Sequence, residues 1–270
     1  MRYDCFAAVI PALTFMQPQD YAYLYELEDS FWWFAGMRAI TSALLDPIVA
    51  ERGELRILDA GCGTGGMLSW MQRYTSAANI FGVDFSTIAL EFCHSRNQKQ
   101  VTRGSIAQLP FVDAGFDLVT SFDVLQHLND EDDARAIGEF YRVLRPGGIA
   151  LVRVAAYNWL RSAHDDAIAV QRRYTLTELT QHFRRAGFNV RRATYANTLL
   201  FPIAAIKRLV FTPAGKAHAE SEVKPWRNGL KWMNGLMTAP LQIEAQTIKH
   251  FDLPFGVSAI CIGEKPVHQH

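Results

Sequence analysis

The sequence predicts an α/β fold: a mostly parallel seven-stranded sheet with helices on both faces and an antiparallel strand at its C-terminal edge. Three observations predict it. Short apolar runs alternate with segments of helical spacing up to residue 155, the rhythm of parallel strands joined by crossover helices. The first apolar run ends in a glycine-rich turn, "ILDAGCGTGG" (Ile57–Gly66). At 270 residues and 49% hydrophobic content, the chain can fill the core of one such domain.

The elements follow in order. Residues 1–50 read as an N-terminal helical cover, with helical spacing and dense aromatics over 20–50. Within it "CFAAVIPALTF" (Cys5–Phe15) is apolar but too short to cross a bilayer. Asp4 before it, Pro11 inside it and no small-residue cleavage site after it argue against a signal peptide. A packing arm, or a start codon placed too early, fits better. Residues 51–270 form the main domain. "LRILDA" is its first strand and "GGMLSWMQRY" the helix after the turn; "NIFGVDFS" is the second strand and "TIALEFCHSR" a helix. "KQVTRGS" and "FDLVTSFDV" are the third and fourth strands, "DDARAIGEFYRVL" a helix, "RPGG" a turn and "IALVRVA" the fifth strand. "TLTELTQHFRRAGF" is a helix and "NVRRATYA" a sixth strand; residues 197–252 are a helical insertion, and "FGVSAICIGEK" (Phe255–Lys265) is the last strand. A strand pair split by an insertion suggests the antiparallel edge.

Composition narrows the partners. Lys+Arg and Asp+Glu are 27 each, so the chain lacks the basic field of a general nucleic-acid binder. The four cysteines, Cys5, Cys62, Cys93 and Cys261, are far apart, which suggests neither a metal site nor a disulfide framework. A reducing, cytoplasmic setting fits.

Gly61, Gly63 and Gly66 have the spacing G-x-G-x-x-G, nominally that of a dinucleotide site. A pyrophosphate seeks backbone N–H groups and a helix N-terminus without a nearby anion. Asp59 lies two residues before Gly61 and opposes a diphosphate. It suits a ligand that carries an ammonium and a sulfonium. Gly61 and Gly63 let the backbone approach closely, because no Cβ intrudes. Asp84 ends the second strand, 18 residues after Gly66, where a carboxylate accepts both hydroxyls of a ribose. That role is common to NAD and S-adenosylmethionine; a solvent-facing turn aspartate is the plain alternative.

"ILDAGCGTGG", "GVDFS", "GSIAQLPF", "FDLVTSFDVLQHL" and "YRVLRPGG", in this order and spacing, resemble the class I S-adenosylmethionine-dependent methyltransferases, type 11 methyltransferase domain, over about residues 52–155. The resemblance implies a Rossmann-like fold, S-adenosylmethionine as cofactor, S-adenosylhomocysteine as product and no metal. It implies that Asp59, Gly61, Cys62 and Gly63 line the methionyl part. Asp84 would hold the ribose, with Phe85 beside the adenine and Ser105 and Ile106 flanking the ring. Asp123 and Val124 would border the site near the transferring methyl. Two departures stand out. The family commonly has aspartate where Ser105 stands, so the contact to the adenine amino group loses charge assistance. Gln126 replaces the glutamate of "LEH". A wider resemblance, in "YLYELEDSFWWFAGMR", "AYNWLRSAHDDAIAVQRRYT" and "NTLLFP", is to a bacterial subgroup of these enzymes.

On the acceptor side several readings stay open. Methyl transfer from a sulfonium is an in-line displacement, in which the enzyme aligns the partners and excludes water. An oxygen or nitrogen acceptor also needs a base. His164 and Asp165 follow the fifth strand and His127 follows the fourth, where ligands sit in open α/β sheets. Each is a candidate base or positioning group, or a structural residue. Arg172, Arg173 and Tyr174 precede a helix that Thr175 and Glu178 start as a capping box. They read as a clamp for an oxyanion or as a basic helix start. Phe31, Trp32, Trp33 and Phe34 cannot all face one way on a helix; Trp33 is the candidate to cover the acceptor. The insertion 197–252 reads as a lid over an apolar acceptor, a peripheral membrane contact at the inner face, or a dimer contact. The expected activity is methyl transfer to a small-molecule or lipid-like acceptor. The rival readings are a catalytically silent methyltransferase-like binding module and a nicotinamide-dependent oxidoreductase.

Overall fold

The computed structural model describes residues 18–50, 52–211 and 233–267. The apolar stretch Cys5–Phe15 and most of the Trp- and Lys-rich part of the insertion lie outside the described residues. The expected cover is two helices, α1 (Pro18–Glu28) and α2 (Trp32–Val49), broken where Phe31 adopts an extended conformation. There follow β1 (Ile57–Ala60), α3 (Gly66–Met71), β2 (Ile80–Asp84), α4 (Thr87–Ser95), β3 (Val101–Arg103), β4 (Phe116–Phe122), α5 (Asp130–Val143) and β5 (Leu144–Ala155). The last part holds α6 (Ala163–Ala167), α7 (Leu176–Arg185), β6 (Asn189–Ala196), α8 (Phe201–Ile206), α9 (Met233–Ile248) and β7 (Ser258–Glu264).

Local chemistry starts the helices. Ser86 caps α4 by accepting from the Ala89 N–H, and Asn129 caps α5 by accepting from the N–H groups of Glu131 and Asp132. Four acids, Asp130–Asp133, fill the first turn of α5 and complement its dipole. The expected capping box of Thr175 and Glu178 starts α7.

The seven strands run in the order β3-β2-β1-β4-β5-β7-β6. β7 is antiparallel to both of its neighbours, β5 and β6, so it sits one place inside the edge and β6 is outermost. β1 lies between β2 and β4. The chain steps outward from β1 through β2 to β3, then returns to the other side of β1. That reversal opens a crevice at the carboxyl ends of β1 and β4, where ligands bind in open α/β sheets.

"RPGG" is not a separate turn before the fifth strand. It is an irregular stretch within β5, whose pairing with β4 jumps from Phe116↔Leu144 to Leu118↔Ile149. Gly147 takes φ +77°, and Gly147 and Gly148 exchange backbone hydrogen bonds with Lys265 after β7.

Helices α5 and α7 cover one face of the sheet through Ile137, Phe140, Leu179 and Phe183. The other face is covered by α2, α3 and α9, through Ile40, Leu44, Leu68, Leu241 and Ile248. α9 belongs to the expected insertion, but it is no lid. Thr238, Leu241, Ala245 and Ile248 form a buried stripe at helical spacing. Gly36 lets α2 approach α9, because any Cβ there would overlap the Leu241 side chain.

Candidate functional site

The site is built at the end of β1. Asp59 is 2% exposed and faces Thr120 of β4, whose hydroxyl donates to its Oδ1 at 2.7 Å. Burial pushes the Asp59 carboxyl up to about 7, against the Thr120 hydrogen bond. The chain then turns sharply, as the Gly61 and Cys62 N–H groups both donate to the Val83 carbonyl at 2.8 and 3.0 Å. Gly61 takes φ +88°, and a Cβ there would overlap the Val124 methyl groups. Gly63 takes φ +53° and its N–H donates to Asp84 Oδ2 at 2.9 Å. The Asp84 Oδ1 accepts from the Ser86 N–H at 2.9 Å. Burial raises the Asp84 carboxyl, against the N–H groups of Ser86 and Gly63. One carboxylate thus ties the glycine turn to the start of α4.

The floor next to Asp59 comes from β4 and β5. Asp123 takes φ +59° just past β4. Arg153 of β5 donates through Nε and Nη2 to Asp123 Oδ2, at 3.0 and 2.6 Å. Its guanidinium lies 4.9 Å from the rings of both Trp33 and Phe122. Trp33 is therefore brought to the β4–β5 side of the site. His127 sits in a single turn after Val124, with Nδ1 3.2 Å from the Ala169 carbonyl. Burial lowers its pKa, against that carbonyl and the Asp123 charge. Phe85 is half-buried beside Asp84, with the Arg103 guanidinium 5.4 Å from its ring. Ser105 accepts from the Ala107 N–H at 3.2 Å, and Ile106 is buried in the core.

Other candidates go elsewhere. The Cys62 side chain turns into the core, 4.0 Å from the Cys93 sulfur and against Leu68 and Gly82, so only its backbone lies on the turn. Asp165 does not present a free base. Its Oδ1 accepts from Arg173 Nε and Nη2 at 3.0 and 2.7 Å, and its Oδ2 accepts from the Ser162 N–H and hydroxyl. Burial opposes its ionisation, but the Arg173 guanidinium, together with the Arg208 charge and the Ser162 N–H, outweighs that and holds it below the usual carboxylate range. Arg173 also donates to the Ala156 carbonyl, so it is a buried structural cation and not an acceptor clamp. Arg172 meets Asp130, Asp133 and Glu178 and stacks on Tyr174. The Tyr174 hydroxyl donates to Asp133 and lies at the Leu125 carbonyl, within the core. His164 is half-buried on α6, beside Asp165. Replacing Arg173 with methionine is expected to cost about 3–5 kcal/mol in urea unfolding, because a buried carboxylate loses its partner; an acceptor clamp would instead change KM with little effect on stability.

The roof of the site escaped the sequence reading. Tyr21, Leu24, Tyr25 and Glu28 of α1 fall at i, i+3, i+4 and i+7, one helix face, and that face meets the turn. Leu24 is the side chain nearest to Gly63, and Tyr21 neighbours Ser86 and Asp84. Glu28 accepts from the Thr64 hydroxyl at 2.5 Å and the Gly66 N–H at 3.0 Å, at the start of α3. Arg96, at the end of α4, staples α1 down. It donates to Thr64 O at 3.0 Å, to Tyr25 O at 2.8 Å and to Asp29 at 2.7 Å, with Glu28 at 3.3 Å. Burial pushes the Glu28 carboxyl up to about 7, against Thr64 and Arg96. Arg38 of α2 donates to the Glu28 carbonyl at 2.6 Å. A groove of about 730 Å³ between α2 and α9, lined by Arg38, Trp70, Arg73 and Lys249, lies outside this frame and contains none of its carboxylates.

Residues 58–152 match the family described as "Methyltransferase domain". A protein of Mycolicibacterium smegmatis that bears the name of an S-adenosylmethionine-dependent methyltransferase is 31% identical over 137 residues, 50% of this chain and 52% of the relative. A fatty-acid O-methyltransferase of the same organism is 35% identical over 99 residues, 36% of this chain and 35% of the relative. The chain spans about half the length, or less, of these curated relatives. In fold it is similar to an S-adenosylmethionine-dependent methyltransferase of Mesorhizobium loti, with a TM-score of 0.52 at 16% identity, covering 83% of this chain and 99% of that one. With the glycine turn, the carboxylates at the ends of β1 and β2 and the seven-stranded order on the same chain, residues 58–152 carry a methyltransferase domain, and the chain is similar to S-adenosylmethionine-dependent methyltransferases.

Proposed function

We propose that the chain transfers the methyl group of S-adenosylmethionine to a small-molecule or lipid-like acceptor. One observation carries the reading: Asp59, the turn Gly61–Gly63 and Asp84 converge at the β1–β4 crevice. The residues fit the cofactor. Gly61 and Gly63 both take positive φ, and a Cβ at 61 would overlap Val124, so the turn keeps this tight path only with glycine there. A carboxylate stands on each side, one suited to an ammonium and one to ribose hydroxyls. When bound, the cofactor supplies a methyl group on a sulfonium, and S-adenosylhomocysteine remains after transfer. In this reading Asp59, Gly61 and Gly63 hold the methionyl part and Asp84 the ribose. Phe85, Ser105 and Ile106 flank the adenine, and Asp123 and Val124 border the methyl. Residues 1–50 act as a cover, through the α1 face that meets the turn.

For an acceptor that must lose a proton, His127 is our first choice of base, because it lies beside Asp123 and within the field of Asp84. His164 is the second. Trp33, held over Arg153, is the choice for an acceptor wall. The lipid-like class draws on the fatty-acid O-methyltransferase relative. A cytoplasmic location is part of the same reading, consistent with four dispersed cysteines.

Calorimetric titration with S-adenosylmethionine tests it. Asp84→Ala is expected to weaken binding about ten- to a hundredfold, the loss of hydrogen bonds to a charged group. Unchanged affinity in that variant, or binding of NADH in place of S-adenosylmethionine, would overturn the reading. Transfer of labelled methyl to a cell extract then sorts the acceptor by phase: organic for a lipid-like molecule, aqueous for a polar one.

A further inference from the structure

The segment that leaves β6 carries its apolar stripe on the wrong side for a soluble protein. Leu199, Ile203, Ile206 and Val210 recur at spacings of four, three and four, the spacing of one helix face; in the structure Ile203 and Ile206 lie on α8, Leu199 just before it and Val210 in the π-helical turn Lys207–Phe211 that follows. Amphipathic helices normally turn such a stripe to the core. Here Ile203, Ile206 and Val210 are 64, 58 and 64% exposed, and Leu199 and Leu209 are more than half exposed. The helix is anchored by a different residue. Phe201 packs edge-on against Trp159 and Phe255, at ring separations of 5.9 and 5.4 Å. Tyr157 lies stacked between Trp159 and Tyr195, at 5.7 and 5.1 Å. This aromatic base holds α8 with its stripe outward.

Two further observations identify what covers the stripe. The first is charge. The chain is neutral, yet residues 207–232 hold six basic residues, from Lys207 and Arg208 to Lys231, against two acidic ones, Glu220 and Glu222. An apolar stripe followed in sequence by a local basic excess is the composition of a helix at an anionic lipid surface. The second is position. β6 runs parallel to β5, so α8 follows the same ends of the sheet as the glycine turn after β1. No helix among the described residues is long and apolar enough to cross a membrane.

We propose that α8 and the turns on either side of it, with the exposed residues Leu199, Ile203, Ile206 and Val210, dock the protein on the surface of an anionic phospholipid bilayer, on the side from which an acceptor reaches the crevice. The docking stands on the outward stripe and the charge. That the acceptor is drawn from the bilayer rests on the methyl-transfer reading. Of the insertion 197–252, α9 is spent on the core, so the surface narrows to the segment around α8.

Co-sedimentation of the full chain with vesicles tests the docking without turnover. With phosphatidylcholine vesicles that contain phosphatidylglycerol at low salt, most of the protein is expected in the pellet. The double variant Ile203→Asp, Ile206→Asp is expected to cut the partition coefficient at least tenfold, with an unchanged melting midpoint and unchanged S-adenosylmethionine affinity. Ile203→Ser, Ile206→Ser serves as a milder pair should the charges disturb folding. Wild-type protein that stays in the supernatant would overturn the proposal, as would equal partition of both variants. A variant that turns a dimer into a monomer in sedimentation velocity would also overturn it, by assigning the stripe to a second copy. Loss of vesicle binding with intact cofactor binding separates this test from that of the methyl-transfer reading.

Discussion

Gly61→Ala is expected to abolish S-adenosylmethionine binding and to destabilise the fold by about 2–5 kcal/mol. Two causes add. An alanine at φ +88° costs about 1–2 kcal/mol, because its Cβ crowds the carbonyl. Overpacking against Val124 costs about 1–3 kcal/mol more. Relief requires the turn or Val124 to move, and either shift disturbs the backbone between Asp59 and Asp84. The two causes are separable. In Gly61→Ala, Val124→Ala the overlap with the two methyl groups is removed, the Cβ of residue 124 stays 3.0 Å away and the strain at φ remains, so stability returns only in part. A double-mutant cycle by urea unfolding is then expected to show coupling of about 1–2 kcal/mol between the positions. Additive effects would mean that Val124 does not press on the turn. A Gly61→Ala protein that binds the cofactor with wild-type affinity would remove the turn from the site.

The inner parallel strands β1, β2, β4 and β5 were legible because they are largely apolar runs bounded by turn residues, as parallel strands covered on both sides must be. The turn was legible for the same reason that makes it functional, since its glycines have no side-chain role to confuse with it. The residues misread on the acceptor side share a different cause. Arg172, Arg173 and Asp165 are charges on a loop, and such charges take their meaning from the partners that the fold delivers. Asp165 and Arg173 neutralise each other, while Arg172 reaches Asp130 and Asp133 some forty residues away in sequence. Nothing local in "QRRYT" records those partners.

Three misses carried a signal. Arg153 interrupts the apolar strand "IALVRVA", and a charge in a buried strand needs a partner; the structure supplies Asp123 and the faces of Trp33 and Phe122. The α1 face of Tyr21, Leu24, Tyr25 and Glu28 has helical spacing, but its acid obscures it, because a glutamate on a buried face reads as solvent-exposed until Thr64 and the Gly66 N–H are seen to receive it. The α9 stripe was equally readable and was masked by the neighbouring Trp- and Lys-rich composition, which drew the whole insertion toward a lid or membrane reading.

The two buried acids on the turn give the second large effect, a stability that falls as pH rises. Glu28 and Asp59 both titrate near 7 in the folded protein, chiefly because burial disfavours their charged forms. In the unfolded chain they titrate near 4. Between about pH 4 and 7 the folded state therefore binds more protons, and unfolding free energy decreases with pH across that window. A shift of this size is worth on the order of 3 kcal/mol per group, lost by about pH 7.5. The carboxylates held by arginines work in the opposite sense, since the low-titrating Asp165 and Glu139 add stability as pH rises. The difference between wild type and Glu28→Gln isolates one group: the variant is expected to lose less stability from pH 4.5 to 7.5, by about 3 kcal/mol in urea unfolding. Parallel pH profiles for the two proteins would show that Glu28 is not raised. Cofactor binding pulls the other way. A ligand with an ammonium and a sulfonium favours the ionised form of Asp59, so below pH 7 its binding must expel a proton. S-adenosylmethionine affinity is then expected to rise up to tenfold per pH unit between 5 and 7 and to level off above. Titrations in buffers of different ionisation enthalpy read the proton directly: about one released near pH 6, and none near pH 6 in Asp59→Asn.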